Sequence, residues 1–110
     1  MAGWFEIRKS TDGQFWFILV AGNGEIILQS ELYKAKASAQ NGIDSVRSNC
    51  AMDGRYERNI SKDNRHYFNL KAVNNQIIGT SQMYSSAQAR EVGIASVKAN
   101  GTVHTIKDLT

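Results

Sequence analysis

The chain has 110 residues, 42% of them hydrophobic and 21% charged, with one cysteine and a net charge of +3. These totals suit one globular domain and exclude a disordered chain, an intrachain disulfide framework and a Cys-x-x-Cys zinc site. The longest apolar run, Phe15 to Ala21, falls far short of the about 20 residues a spanning helix needs, and the stretch before Trp4 lacks the regions of a secretion signal, so a cytoplasmic protein is expected.

Taken in chain order, Trp4 to Ser10 and Phe15 to Ala21 are rich in aromatic and β-branched residues, with the turn formers Asp12-Gly13 between them, and they predict a hairpin. Asn23-Gly24 predicts a type I′ turn, with positive φ at both central residues, leading to a third strand over Glu25 to Ser30. After Tyr33 the period changes: Ala35, Ala39, Ile43 and Val46 fall on one helical stripe, and Asn49 suits its far end. Cys50, just beyond, is read as a small buried hydrophobe and not a nucleophile, since neither His66 nor His104 lies near it in sequence.

The same order of elements then recurs. Strands are expected over Arg55 to Ser61 and Arg65 to Ala72, joined across Asp63-Asn64, and over Gln76 to Thr80 after a weaker turn at Asn74-Asn75. Asparagine tolerates the left-handed region better than most residues, which makes that second turn workable. A second helix carries Ala89, Gly93, Ile94 and Val97 on its inner stripe and ends near Asn100-Gly101. Ser85 and Gln88 have the spacing of a capping box, a device that Lys34 cannot provide in the first copy. Gly42 and Gly93, mid-helix, cost about 1 kcal/mol each relative to alanine and predict close approach of helix to sheet. Thr102 to Leu109 alternates like a last strand. Its counterpart begins near Ala51 and runs into Tyr56, so one long strand is expected to close the first copy and open the second.

Gly3 to Asn49 aligns with Gly54 to Asn100 without a gap, with identity at more than a third of the positions. The motif Phe17-x-Leu19-x-Ala21-x-Asn23, Ile26-Ile27, Ser30-x-x-Tyr33, Gly42-Ile43-x-Ser45-Val46 returns as Phe68-x-Leu70-x-Ala72-x-Asn74, Ile77-Ile78, Ser81-x-x-Tyr84, Gly93-Ile94-x-Ser96-Val97. Duplication explains it. These residues resemble the YegP-like family of small, mostly bacterial proteins in its two-copy form, over nearly the whole chain. The resemblance implies an α+β fold of two tandem β3-α-β repeats (3–51 and 54–109) in a single domain. They would share one mainly antiparallel sheet with both helices on one face, a pseudo-two-fold axis and C-terminal strands exchanged between the repeats. It carries over no biochemical activity and no catalytic residue.

Reactive groups are sparse. His66 aligns with Phe15 and His104 with Asp53; "AGNGE" lacks the glycines and the Lys-Ser/Thr of a phosphate loop. The repeated acids Asp12/Asp63 and Glu6/Glu57 read as turn chemistry and exposed strand residues. Catalysis is not expected by the standards of a convergent site, and neither a cofactor nor a metal is expected. Asn23/Asn74, Ser30/Ser81 and Tyr33/Tyr84 read as structural: turn, backbone bond at a strand end, and ring packed beneath the helix start.

Strand alternation places Phe17, Leu19, Ala21, Phe68, Leu70 and Ala72 under the helices and leaves Trp16, Ile18 and Val20, with Tyr67, Asn69 and Lys71, on the opposite face. Three coverings of that apolar strip are consistent with the sequence. The protein's own terminal segment or neighbouring side chains could shield it; a protein partner, or another copy of the chain, could dock on it; or single-stranded nucleic acid could lie across it, stacking bases on Trp16 and Tyr67 with phosphates held by Arg55, Arg65 and Lys71. The expected function is therefore non-enzymatic binding or protein interaction through the helix-free sheet face, with single-stranded nucleic acid as the alternative. The positive excess lies wholly in the second half, too mild to demand nucleic acid.

Overall fold

A computed structural model describes residues 2–110. The first repeat forms β1 (Trp4–Lys9), β2 (Phe15–Val20), β3 (Ile26–Gln29) and α1 (Lys36–Asn49). The second forms β4 (Tyr56–Ile60), β5 (His66–Lys71), β6 (Ile77–Thr80) and α2 (Ala87–Asn100), and β7 (Ile106–Asp108) ends the chain. All seven strands join one sheet in the order β4-β5-β6-β3-β2-β1-β7. Every neighbouring pair is antiparallel except β1 with β7, which run parallel.

The four hairpin turns share one device, and it is not the type I′ turn expected from Asn23-Gly24. The N–H groups of Gly13, Gly24, Asn64 and Asn75 each donate to a carbonyl three residues back, on Ser10, Ala21, Ser61 and Ala72. Those four alone among the described residues have positive φ, between 66° and 87°. Asn23 and Asn74 do not; their side chains accept from the N–H of Glu25 and Gln76. A turn followed by a single left-handed residue is the three-residue hairpin loop, which requires one glycine or asparagine where type I′ requires two.

Phe5 and Ile7 of β1, Phe17 and Leu19 of β2, and Phe68 and Leu70 of β5 form one buried cluster with Ile43 and Val46 of α1 and Ile94 and Val97 of α2. Both helices thus cover the face that alternation assigned to them. The mid-helix glycines make room mainly for tyrosine: a Cβ on Gly42 would lie 2.7 Å from the Phe17 ring and 2.8 Å from the Tyr33 hydroxyl, and one on Gly93 would collide with the Tyr84 hydroxyl. Each tyrosine ring in turn stacks on a core phenylalanine, Tyr33 on Phe17 and Tyr84 on Phe68, with centroids 6.4 Å apart.

Other expectations shift by a residue or more. Ser86, not Ser85, caps α2, accepting the Ala89 N–H at 3.0 Å, while Ala35, in the cap position before α1, provides no side-chain cap. Gly101 ends α2 with φ −68°, so its value there is space: a Cβ would sit 2.6 Å from Cys50 Sγ. Cys50 is buried, and burial raises its thiol pKa. The long strand expected from Ala51 into Tyr56 does not form, because Asp53–Arg55 make a single 3-10 turn before β4.

The two ends of the sheet differ. β7 lies outside β1, with the Phe5 N–H on the Thr105 carbonyl and the Leu109 N–H on the Ile7 carbonyl, both 2.9 Å. Arg47 of α1 steadies its approach by donating to the carbonyls of Val103 and His104. Among the described residues β4 has no neighbour on its outer side. Arg58 accordingly takes the position that buried Ile7 holds in β1, binding Glu91 through two nitrogens and also reaching Asp53. Ion-paired charge on a free edge opposes addition of a further strand.

At the centre, β3 and β6 meet through one residue pair, Gln29 with Thr80. Ser30 and Ser81 flank it, each accepting a β-strand N–H (Phe17 at 2.8 Å, Phe68 at 3.0 Å) and donating to the next carbonyl. The structural reading of the repeated serines, asparagines and tyrosines agrees with these contacts.

Candidate functional site: the helix-free face

Registers place Trp4, Glu6 and Arg8 of β1 opposite Val20, Ile18 and Trp16 of β2 on the side away from the helices. Trp16 is only partly covered, whereas Ile18 and Val20 are 2% and 3% exposed, so over those two residues the covering is the protein's own. Their cover comes from their neighbours: Trp4 beside Val20, Glu6 and Gln29 flanking Ile18, and Trp16 along the strand.

Those neighbours are locked to one another. The Trp4 indole donates to Glu6 Oε2 at 2.8 Å, and Arg8 donates to Glu6 Oε1 from both Nε (3.1 Å) and a terminal nitrogen (2.6 Å). The Arg8 guanidinium lies 5.9 Å from the Trp16 ring centroid, and the Lys107 ammonium of β7 lies 4.1 Å from that of Trp4. Cation, indole, carboxylate, guanidinium and indole thus form a continuous ladder, and its hydrogen bonds hold the Glu6 pKa below the ordinary range, Trp4 contributing most and Arg8 next. Trp4, Arg8 and Lys107 were not singled out from sequence. The first two are visible as same-face partners once β1 and β2 are paired, but only β7's placement brings in Lys107.

The second repeat places a different network at the equivalent positions. Glu57 accepts from Lys71 at 2.6 Å, and from Asn59 and Asn69 at 3.0 Å each, while Thr80 donates to Asn69 at 2.8 Å. These bonds, that from Lys71 first, bring the Glu57 pKa down to about 2. Glu6 and Glu57 are therefore hubs of the face and not freely exposed strand residues.

Tyr67 is half-buried beside Asn59, and the three cations expected to hold phosphates with it are dispersed. Lys71 is committed to Glu57, Arg65 pairs with Asp63 at 2.8 Å in the hairpin loop, and Arg55 turns to Asn49 at the end of α1. Asp12 and Asp63 accept from Ser10 and Ser61 within their turns. Among the described residues no group of three His, Cys, Asp or Glu is placed to hold a metal ion, and no helix is long and apolar enough to cross a membrane.

Two open clefts of about 580 and 410 Å³ flank the Gln29–Thr80 pair. Glu25, Ile26 and Leu28 face Ser81 and Gln82 across the first; Ile77 and Gly79 face Ser30 and Glu31 across the second. Ile26, Leu28, Ser81 and Gln82 in the first are the counterparts of Ile77, Gly79, Ser30 and Glu31 in the second, while Glu25 has no counterpart there.

The profile of the family described as a domain of unknown function, DUF1508, matches twice, over residues 10–57 and 61–108. The chain belongs to the YegP-like, UPF0339 family. YegP of Escherichia coli K12 is 64% identical over 110 residues, spanning all of both chains, and the UPF0339 protein of Acinetobacter baylyi is 64% identical across 99% of its length. The solution NMR structure of E. coli yegP, titled a protein of unknown function, superposes with a TM-score of 0.95 over all of this chain and 95% of that one. The UPF0339 structure from Shewanella oneidensis, 58% identical, gives 0.94 over all of this chain and 93% of that one. The tandem YegP-like repeat is thus a shared architecture.

Proposed function

We propose that the chain is a non-enzymatic, cytoplasmic binding module that recognises a protein partner through the helix-free face, chiefly its first-repeat half. The observation that carries this reading is the Lys107–Trp4–Glu6–Arg8–Trp16 ladder: two partly open indoles are held in place before any partner arrives, so little side-chain entropy remains to be lost on binding. We also read β7, which crosses from the second repeat to lie beside β1 of the first, as the single exchanged strand of an otherwise pseudo-two-fold arrangement. Support for that arrangement comes from counterpart residues that touch, Gln29 with Thr80 and Leu28 with Gly79.

Nucleic acid is the weaker alternative, because Arg55, Arg65 and Lys71 are each engaged within the chain and a phosphate would have to displace those partners. The test compares the wild type with the Trp4→Ala/Trp16→Ala double variant, both with intact circular dichroism, by in-cell crosslinking. A defined set of proteins linked to the wild type and lost from the variant supports the reading. Salt-sensitive retardation of single-stranded DNA or RNA by the wild type, whether or not the double variant retains it, with no such set of proteins overturns it.

A further inference from the structure

The paired clefts beside the Gln29–Thr80 bridge have a composition unlike the rest of the face. Ile26 and Ile77, counterparts in the two repeats, are 48% and 43% exposed, and one lines each cleft. Bare apolar side chains at both ends of one groove are unusual in a sheet that elsewhere covers Ile18 and Val20 closely. The charged residues lining the clefts are Glu25 in the first and Glu31 in the second. Neither has an ion-pair partner among the described residues, whereas Glu6 and Glu57 on the same sheet are fully engaged. No lysine or arginine lines either cleft.

We infer that this midline groove docks an extended, basic segment of a partner protein, its apolar side chains seated on Ile26 and Ile77 and its lysines or arginines paired with Glu25 and Glu31. The charge decides the occupant. Two unpaired carboxylates without a cation repel a phosphate backbone and an acidic peptide alike, and they favour a cationic chain through complementarity that also speeds encounter. An extended guest suits the geometry, because the two clefts lie on opposite sides of one strand pair and are too open to enclose a compact small molecule. The inference rests on the helix-free face being the binding surface, and it locates the specificity of that surface at the joint between the repeats.

The probe is an alternating Lys-Val hexapeptide, followed by two-dimensional amide NMR of the whole chain, with an Asp-Val hexapeptide as comparison. The expected result is saturable shifts of the Gln29, Thr80 and Gln82 amides with the basic peptide only. In Glu25→Gln/Glu31→Gln the affinity should fall by about tenfold, as the loss of two partly exposed ion pairs implies, and added salt should weaken binding of the wild type but barely that of the variant. Shifts confined to the Trp4 and Trp16 region overturn the groove while leaving the face as the binding surface. Equal binding of the acidic peptide, or an affinity unchanged in the double variant, overturns the charge argument. No shifts anywhere on the face count against both readings.

Discussion

Leu28 lies over Gly79, its own counterpart in the second repeat: a Cβ on that glycine would sit 2.8 Å from the leucine Cγ. Leu28 is fully buried. Where counterpart positions meet, two identical large side chains would compete for one space, and here a large residue on one side is matched by none on the other. Cys50 against Gly101 repeats the pattern at the helix ends. Leu28→Gly should cost at least the about 2–5 kcal/mol usual for truncating a buried leucine, and Gly79→Leu should destabilise by overpacking. The exchanged pair Leu28→Gly/Gly79→Leu should recover part of the loss. Urea denaturation of the three variants measures this; strict additivity in the double variant would contradict the shared space.

The glycines inside the helices give a second test. Alanine is intrinsically the better helix former by about 1 kcal/mol, yet Gly42→Ala and Gly93→Ala should each destabilise, by about 1–3 kcal/mol, because the new methyl meets Tyr33 or Tyr84. Thermal melts distinguish the two effects by sign.

The helix starts are unequal, and the inequality is correctable. Ala35 has the extended backbone of a cap, φ −122° and ψ 143°, but no side chain to accept a hydrogen bond. Ala35→Ser should therefore stabilise, and Ser86→Ala should destabilise, by about 1 kcal/mol each. A drop in melting temperature for Ala35→Ser would show that α1's first turn is satisfied in another way.

Acid should weaken the fold over a defined window. Lys98 first, then Arg58, hold the Asp53 pKa down to about 2, and Lys71 first, then Asn59 and Asn69, do the same for Glu57, against ordinary values of 3.8 and 4.5. Because the folded-state values are depressed, their stabilisation is complete above the ordinary values and lost as pH falls from about 4.5 towards 2. The urea midpoint should decline across that interval. In Asp53→Asn/Glu57→Gln the decline should be shallower, and an unchanged slope would mean that other carboxylates govern the acid transition.

Much of this molecule is legible without coordinates. Duplication, strand alternation and the change to helical period determine the number, kind and inner face of the main elements, since side-chain period follows directly from backbone geometry. The core phenylalanines and leucines are recoverable for that reason. The turn type is not, because Asn-Gly serves a two-residue and a three-residue loop alike and only the hydrogen-bond closure from Gly24 to Ala21 decides between them. Nor is the state of the candidate face legible. Alternation correctly puts Trp16, Ile18 and Val20 on the helix-free side, but exposure depends on what lies across the neighbouring strand, and Trp4 and Glu6 provide that cover only once β1 is in register.

The longest-range facts belong to tertiary structure alone. Nothing local in Lys107 announces that it will stack on Trp4 from the opposite end of the chain, and nothing local in Ile26 or Glu25 marks them as lining one side of a groove with Ser81 and Gln82. Sequence by itself determined that the chain is a doubled α+β unit with a shared core, because periodicity and repetition are properties of neighbouring residues. Only the folded sheet decided which of its surfaces are closed and which remain open, because burial is a property of the residues that distant strands bring together.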